Sequence, residues 1–393
     1  MLKPESILSA DALTASAKAS SPDVLTASAE GSSPDVLTAQ SVSLLRKMVA
    51  TPSETFSEQA VSDMLYSTLS QWGLDIPRCG LNLYALNQHF DSSKPTLVLD
   101  AHIDTVPACS SYTRDPLDPG TDPDIVWGLG SNDDGGSVVA MIAVFRHFHE
   151  ANLPINLVLN LVVEEERCGD RGECLMFSQD GPAPVREARW VIVGEPTLMR
   201  AATSERGLLV LDGFAEGVSG HAARSEGVNA LYIALDDIAA LRAHRFERSS
   251  SLMGEVRLNV TQIAAGSAHN VVPDKCNFVV DVRPTDVYDN QELLQELQAL
   301  CRSRLTPRNL KNRSSATPSS SLLLRAVDEL GIEKFSSPTT SNWIKLPCEA
   351  IKMGPGDSAR SHRADEFIRV QEIEDAVIIY IKFIEKLYGY FME

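Results

Sequence analysis

The chain has 393 residues, of which 44% are hydrophobic and 22% charged, so it can bury a sizeable core and is long enough to divide into more than one domain. A net charge of −18 argues against nucleic acid or an anionic membrane as partner. Seven cysteines at irregular spacing, with no C-x-x-C pair, indicate neither a thiolate zinc site nor a disulfide framework. A reducing cytoplasm is the expected compartment. No stretch is apolar enough to span a bilayer, since residues 155–163 are too few and are interrupted by Asn156 and Asn160. The N-terminus lacks a basic region followed by an apolar one, so no signal peptide is expected.

Residues 13–24 and 25–36 are near-identical copies of one Ala/Ser-rich segment that differ only at Lys18/Glu30 and Ala19/Gly31. Residues 1–36 have little to bury and are expected to be poorly ordered. Ser33-Pro34-Asp35 reads as a helix start, with the helix running through Leu44, Leu45 and Met48. A helix over 58–72, a strand over 96–100, a helix over 136–150 and strands over 156–163 and 190–193 follow. Alternating helices and near-continuous apolar strands predict an α/β sheet covered on both faces.

After Met199 the pattern changes. A strand over 207–214, a helix over 229–243, strands over 255–263 and 276–283, and a helix over 291–302 read as a small α+β domain inserted into the larger one. The polar, basic run 302–321 reads as a return linker. A last helix is expected over 371–388. The expected organisation is residues 1–36 as the repeat, 37–202 as the first part of the larger domain, 203–312 as the inserted domain and 313–393 as the second part.

Histidine and carboxylate segments recur at the ends of these strands. His102 and Asp104 follow the strand over 96–100. Residues two apart on a strand point the same way, so Asp104 can hold the His102 ring from behind, although a surface turn fits the same residues. Asp133 lies in a Gly-rich loop that opens a helix. That loop lacks the Lys or the spacing of a phosphate cradle, and a simple N-cap by Asp133 is compatible with metal ligation. Glu164, Glu165 and Glu166 directly follow an apolar strand, where three carboxylates repel one another unless a cation is present. One of them can bind metal while its neighbour acts as general base on an activated water. Glu195 follows another strand, and His362 lies in the Gly-rich loop 354–366. Taken together, these segments supply a two-metal hydrolase with five ligands, a catalytic carboxylate and an orienting Asp.

In combination, HIDTVP, GLGSNDDGG, EEE, GEPT, GHAAR, NVVP with a later Arg, and GDSARSH resemble the acetylornithine deacetylase / succinyl-diaminopimelate desuccinylase family of two-zinc hydrolases. The likeness covers residues 37–393. It implies a zinc-peptidase-like catalytic domain with an inserted ferredoxin-like lid and dimerisation domain. It also implies His102, Asp133, Glu166, Glu195 and His362 as metal ligands with Asp133 bridging, Glu165 as general base and Asp104 as orienter. His221 would stabilise the oxyanion across a dimer interface, although it could instead cap a turn. Asn270, Arg283 and Gly356 would contact substrate, although Arg283 could instead pair with Asp281 or Asp286.

The implied cofactors are two divalent ions, zinc first and cobalt or manganese as alternatives. The implied partners are a small N-acyl amino acid and a second copy of the chain. The expected reaction is deacylation of N-acetylornithine or an acyl-citrulline in arginine biosynthesis. A desuccinylase, a small-peptide carboxypeptidase and a non-catalytic metal-binding scaffold are the alternatives. Leu129 and Gly135 depart from the Arg and Lys that the family often carries. A cis peptide bond between Asp133 and Asp134 is expected.

Overall fold

A computed structural model describes residues 34–224 and 226–392. The duplicated segment up to Ser33, with its expected disorder and helix cap, lies outside the described residues. The chain divides into two compact units. Unit 1 comprises residues up to Thr203, 317–335 and 341–393, and unit 2 comprises 204–316 and 336–340.

Unit 1 begins with α1 (Pro34–Val49) and α2 (Gln59–Gln71), then β1 (Arg78–Cys79), β2 (Asn82–Leu86), β3 (Thr96–His102) and β4 (Ile125–Trp127). Next come α3 (Gly135–Phe148), β5 (Asn156–Val162), β6 (Trp190–Val193) and β7 (Ala201–Glu205). Unit 2 carries β8 (Leu209–Glu216), β9 (Gly220–His221), α4 (Ala230–Ala243), β10 (Arg257–Ala265) and β11 (Val271–Val272). It ends with β12 (Lys275–Arg283), α5 (Asn290–Leu300) and β13 (Arg304–Pro307). Unit 1 then resumes with α6 (Leu322–Glu329), β14 (Glu349–Lys352), β15 (Phe367–Arg369) and α7 (Val370–Gly389).

The unit 1 sheet runs in the order β1-β2-β5-β3-β6-β14-β7. Strands β5, β3, β6 and β14 are mutually parallel. The flanking pairs are antiparallel. Every residue of β3, β5 and β6 is buried, because the sheet is covered on both faces. Leu97 and Leu99 join the core with α1, α3 and α7, whereas Val98 faces the other way with Val158, Val191 and Trp343. Helix α7 buries Ile373, Ala376, Val377, Tyr380, Phe383, Ile384 and Leu387, the i, i+3, i+4 stripe of a helix laid on a sheet. Helix α3 is buried nearly all round and is therefore apolar all round. At its start, a Cβ on Gly135 would meet Gly130 O at 2.4 Å and Leu45 Cδ1 at 2.6 Å, so α1 leaves no room for the Lys of the resemblance.

Unit 2 is an antiparallel sheet in the order β10-β12-β8-β13 with α4 and α5, the ferredoxin-like arrangement. The expected linker is corrected in part: residues 304–307 are a strand paired with β8. Leu305 is its buried residue, and Arg304 and Arg308 disguise it as a polar run. The large side chains that seat α1 in the core beside α3 and α7 define a stability test. Leu45→Ala is expected to cost about 2–5 kcal/mol in denaturant unfolding, and a loss below about 0.5 kcal/mol would contradict the seating of α1 in the core.

Candidate metal centre

In open α/β sheets, ligands bind beyond the carboxyl ends of the parallel strands. In this chain β3 ends on His102, Glu164–Glu166 follow β5, Glu195 follows β6, and the loop carrying His362 follows β14. Asp133 sits one residue before Asp134, the cap residue of α3. The Asp133–Asp134 peptide bond is cis, as the resemblance implies.

His102 is buried, and its Nδ1 lies 3.0 Å from the backbone carbonyl of Asp104. A carbonyl can only accept, so Nδ1 carries the proton and Nε2 is turned toward Asp133 Oδ1, 3.3 Å away. Across the site, His362 Nε2 lies 3.0 Å and 3.1 Å from the two Glu166 oxygens and 3.7 Å from Asp133 Oδ2. Each oxygen of Asp133 therefore faces a different imidazole. Among the described residues, two groups of donor atoms could each hold a metal ion: His102, Glu165 and Glu166, and Asp133, Glu166 and His362, with the atoms of each group within 4.8 Å of one another. Glu195 belongs to neither group.

The Asp104 carboxylate does more than the sequence suggested. It lies 3.5 Å from His102 Nδ1, but it also accepts Thr55 Oγ1–H at 2.8 Å and the backbone N–H groups of Glu165 and Glu166 at 3.0 and 3.2 Å. It thereby fixes the acidic segment relative to β3. Sequence reasoning missed two further carboxylates. Buried Glu58 accepts the N–H groups of Phe56 and Glu164. Buried Glu366 accepts those of Asn132 and Asp133. Their partners are main-chain groups, which leave no mark in the sequence.

The electrostatics are those of crowded buried anions. Burial, then the charges of Glu166, Asp104 and Asp133, raises Glu165 to about 8. Burial also raises Glu166, and burial with Asp133 and Glu165 raises Glu195 well above the carboxylate range. Burial opposes the charged form of His102, but the carboxylates around it outweigh that effect and raise its pKa. Both carboxylate oxygens of Asp134 are buried without a hydrogen-bond partner. Oxygen and imidazole donors in an uncompensated anionic pocket fit divalent cations.

The pH consequence follows from the direction of these shifts. Glu165 and Glu366 are raised from 4.5 to about 8 in the folded chain. Their contribution to stability is complete below about pH 4.5 and is lost as pH rises through 8. The metal-free protein is therefore expected to lose stability between pH 4.5 and 8, with added divalent ion abolishing the loss. A thermal melt series that is flat without metal would contradict the burial of these charges.

The remaining expected residues lie on other features. Gly356 has φ +81°, and a Cβ there would approach Asn132 Oδ1 to 2.3 Å, so close packing on Asn132 accounts for the glycine. In unit 2, exposed His221 pairs with Val271 in the β9–β11 ribbon, and Asn270 directly precedes β11. His221 Nδ1 accepts Ala223 N–H at 3.1 Å, so in the neutral ring Nε2 remains a donor. Arg283 gives its fork to Asp281 at 2.7 and 3.0 Å and bonds Thr340 Oγ1 at 3.1 Å. The pairing alternative thus holds for Arg283, and the fork that suited a substrate carboxylate is already engaged.

Residues 203–309 match a peptidase dimerisation domain, and residues 82–181 match peptidase family M28. A succinyl-diaminopimelate desuccinylase of Xanthomonas campestris is 27% identical over 375 residues, 88% of this chain and 96% of that one. A Pyrobaculum aerophilum protein named as a LysW-lysine/LysW-ornithine hydrolase is 30% identical over 291 residues, 72% of this chain and 79% of that one. Among solved structures, a tripeptidase of Staphylococcus aureus superposes with TM-score 0.72 at 16% identity, covering 90% of this chain and 99% of that one. An M20 family metallo-carboxypeptidase of Sulfolobus solfataricus superposes with TM-score 0.70 at 16% identity, covering 89% and 99%. The two structures share the fold, and the sequence relatives share the function class, hydrolysis of an amide. The chain belongs to the acetylornithine deacetylase / succinyl-diaminopimelate desuccinylase-like family of metallohydrolases, among the M20 peptidases.

Proposed function

We propose that the protein is a two-metal amidohydrolase that removes the acyl group from an amine of a diamino acid. The observation that carries this reading is Asp133, with one carboxylate oxygen toward His102 and the other toward His362. His102, Asp133, Glu166, Glu195 and His362 would hold two divalent ions, zinc first and cobalt or manganese as alternatives. When bound, such a pair polarises the scissile carbonyl and acidifies a water.

The chain's own groups do the rest. Glu165, fixed by its backbone bond to Asp104, takes the proton of the attacking water and returns it to the leaving amine. Its raised pKa suits a group that must both accept and donate. Asp104 keeps His102 in one tautomer. Across the dimer interface, His221 of a second copy, with Nε2–H available to donate, would hydrogen-bond the developing oxyanion.

The relatives' names point to one substrate chemistry. Diaminopimelate, lysine and ornithine, the compounds in those names, are all diamino acids. N-acetylornithine, first in the sequence reading, belongs to the same class, and N-succinyl-diaminopimelate stands beside it. The match of residues 203–309 to a dimerisation domain supports a homodimer through unit 2. Among the described residues, no helix is long and apolar enough to cross a membrane.

Hydrolysis of acetylated and succinylated ornithine, citrulline, lysine and diaminopimelate should be assayed side by side with dipeptides. Turnover is expected on at least one acylated diamino acid. Activity on dipeptides alone would replace this reading with the small-peptide carboxypeptidase. Glu165→Ala should lower kcat by about 10²–10⁴ while bound metal is unchanged. A metal-loaded wild type as inert as that variant on every amide would favour the non-catalytic scaffold.

A further inference from the structure

The loop carrying Asp133 and the loop carrying His362 are tied together at two points. Asn132 Oδ1 accepts the N–H of Asp357 at 2.9 Å, and its Nδ2 donates to the Asp357 carbonyl at 3.2 Å. Four residues beyond His362, Glu366 is 2% exposed and closes the second tie. Its Oε1 accepts the N–H groups of Asn132 and Asp133, each at 2.9 Å, and its Oε2 accepts that of Gly130 at 3.1 Å. The Glu366 carbonyl accepts a fourth, from Gly128, at 2.8 Å.

Three main-chain donors on one buried carboxylate are a built receptor, since an apolar side chain at this position would orphan all three. His362 needs such an anchor. Its backbone is left-handed at φ 59°, and its side chain is 54% exposed, so little packing fixes the ring. The outer side of the same loop is held by Arg360, which forks onto Glu372 at 2.7 and 3.0 Å and lies over the Phe367 ring. His102, Glu165 and Glu166 depend on a different support, since Asp104 holds all three.

We propose that Glu366, with Asn132, is a positioning residue that sets His362 against Asp133, so that the cation group of Asp133, Glu166 and His362 assembles only while this clamp is closed. His102, held by Asp104, keeps its place without it. The inference rests on the two-metal reading above.

The test titrates zinc into metal-free wild type, Glu366→Ala, Glu366→Gln and Asn132→Ala, and follows hydrogen exchange of the metal-free proteins. Wild type should take two ions. Glu366→Ala should weaken the ion at His362 by about 10–100-fold, and the ion at His102, which keeps its other ligands, by much less. It should also speed exchange in both loops while β3 and β5 stay protected. Glu366→Gln should restore most of the lost affinity, because its single oxygen still accepts from Asn132 and Asp133. If Glu366→Ala does not fold, Asn132→Ala is expected to show the same selective loss.

Two ions bound as in wild type with unchanged exchange, or equal weakening of both ions, would overturn the clamp. If wild type itself takes up a single ion, the two-metal reading falls. In that case the exchange of the two loops alone decides the clamp, with unchanged protection counting against it.

Discussion

The arrangement depends on a concentration of negative charge that the fold creates at one edge of its sheet. Four mutually parallel strands end together: the segments after β5 and β6 deliver Glu165, Glu166 and Glu195, and the loop before α3 brings Asp133 beside them, all in a buried volume. Left alone, such a group is unfavourable, and burial raises the pKa of three of these four acids. The exception is Asp133, lowered against its burial by His102 and then His362. A carboxylate that two imidazoles keep ionised, one at each oxygen, has the charge state required of a bridge between cations.

The rest of unit 1 serves to keep these groups still. Helix α3, wrapped in apolar side chains, fixes the loop that precedes it, and Gly135 allows that loop to lie against α1. Buried carboxylates that accept main-chain N–H groups form a layer behind the ligands. Glu58 and Asp104 support the acidic segment, and Glu366 supports Asp133. At Glu58 and Glu366 main-chain N–H groups take the place of lost hydration, which is how an acidic side chain can be buried without a basic partner. Precise placement of ligands therefore comes from backbone amides as much as from packing.

Much of this was legible in the sequence, for a physical reason. Strands buried on both faces are continuous apolar runs, and an abrupt histidine or carboxylate at the end of such a run stands out, as at His102, Glu164 and Glu195. The gap between Asp133 and the next apolar stretch read as a helix start for the same reason. The short strands were not legible. Residues 82–86 and 349–352 offer too few alternations, and Lys352 sits almost wholly buried where its type predicts exposure. Residues 304–307 hide one buried Leu among arginines. Glu58 and Glu366 were missed because a side chain that receives main-chain N–H groups has no partner residue to be recognised by. Arg283 shows the converse, since its type suited a substrate carboxylate while a neighbour two residues away already satisfied it.

The central claim is that Asp133 joins two cation sites. Anomalous diffraction at the zinc edge, from crystals of the zinc-loaded protein, tests it most directly. Two peaks about 3.5–4 Å apart are expected, one in contact with each Asp133 oxygen, with His102 at one ion and His362 at the other. A single peak, or two peaks that do not share Asp133, would contradict the account.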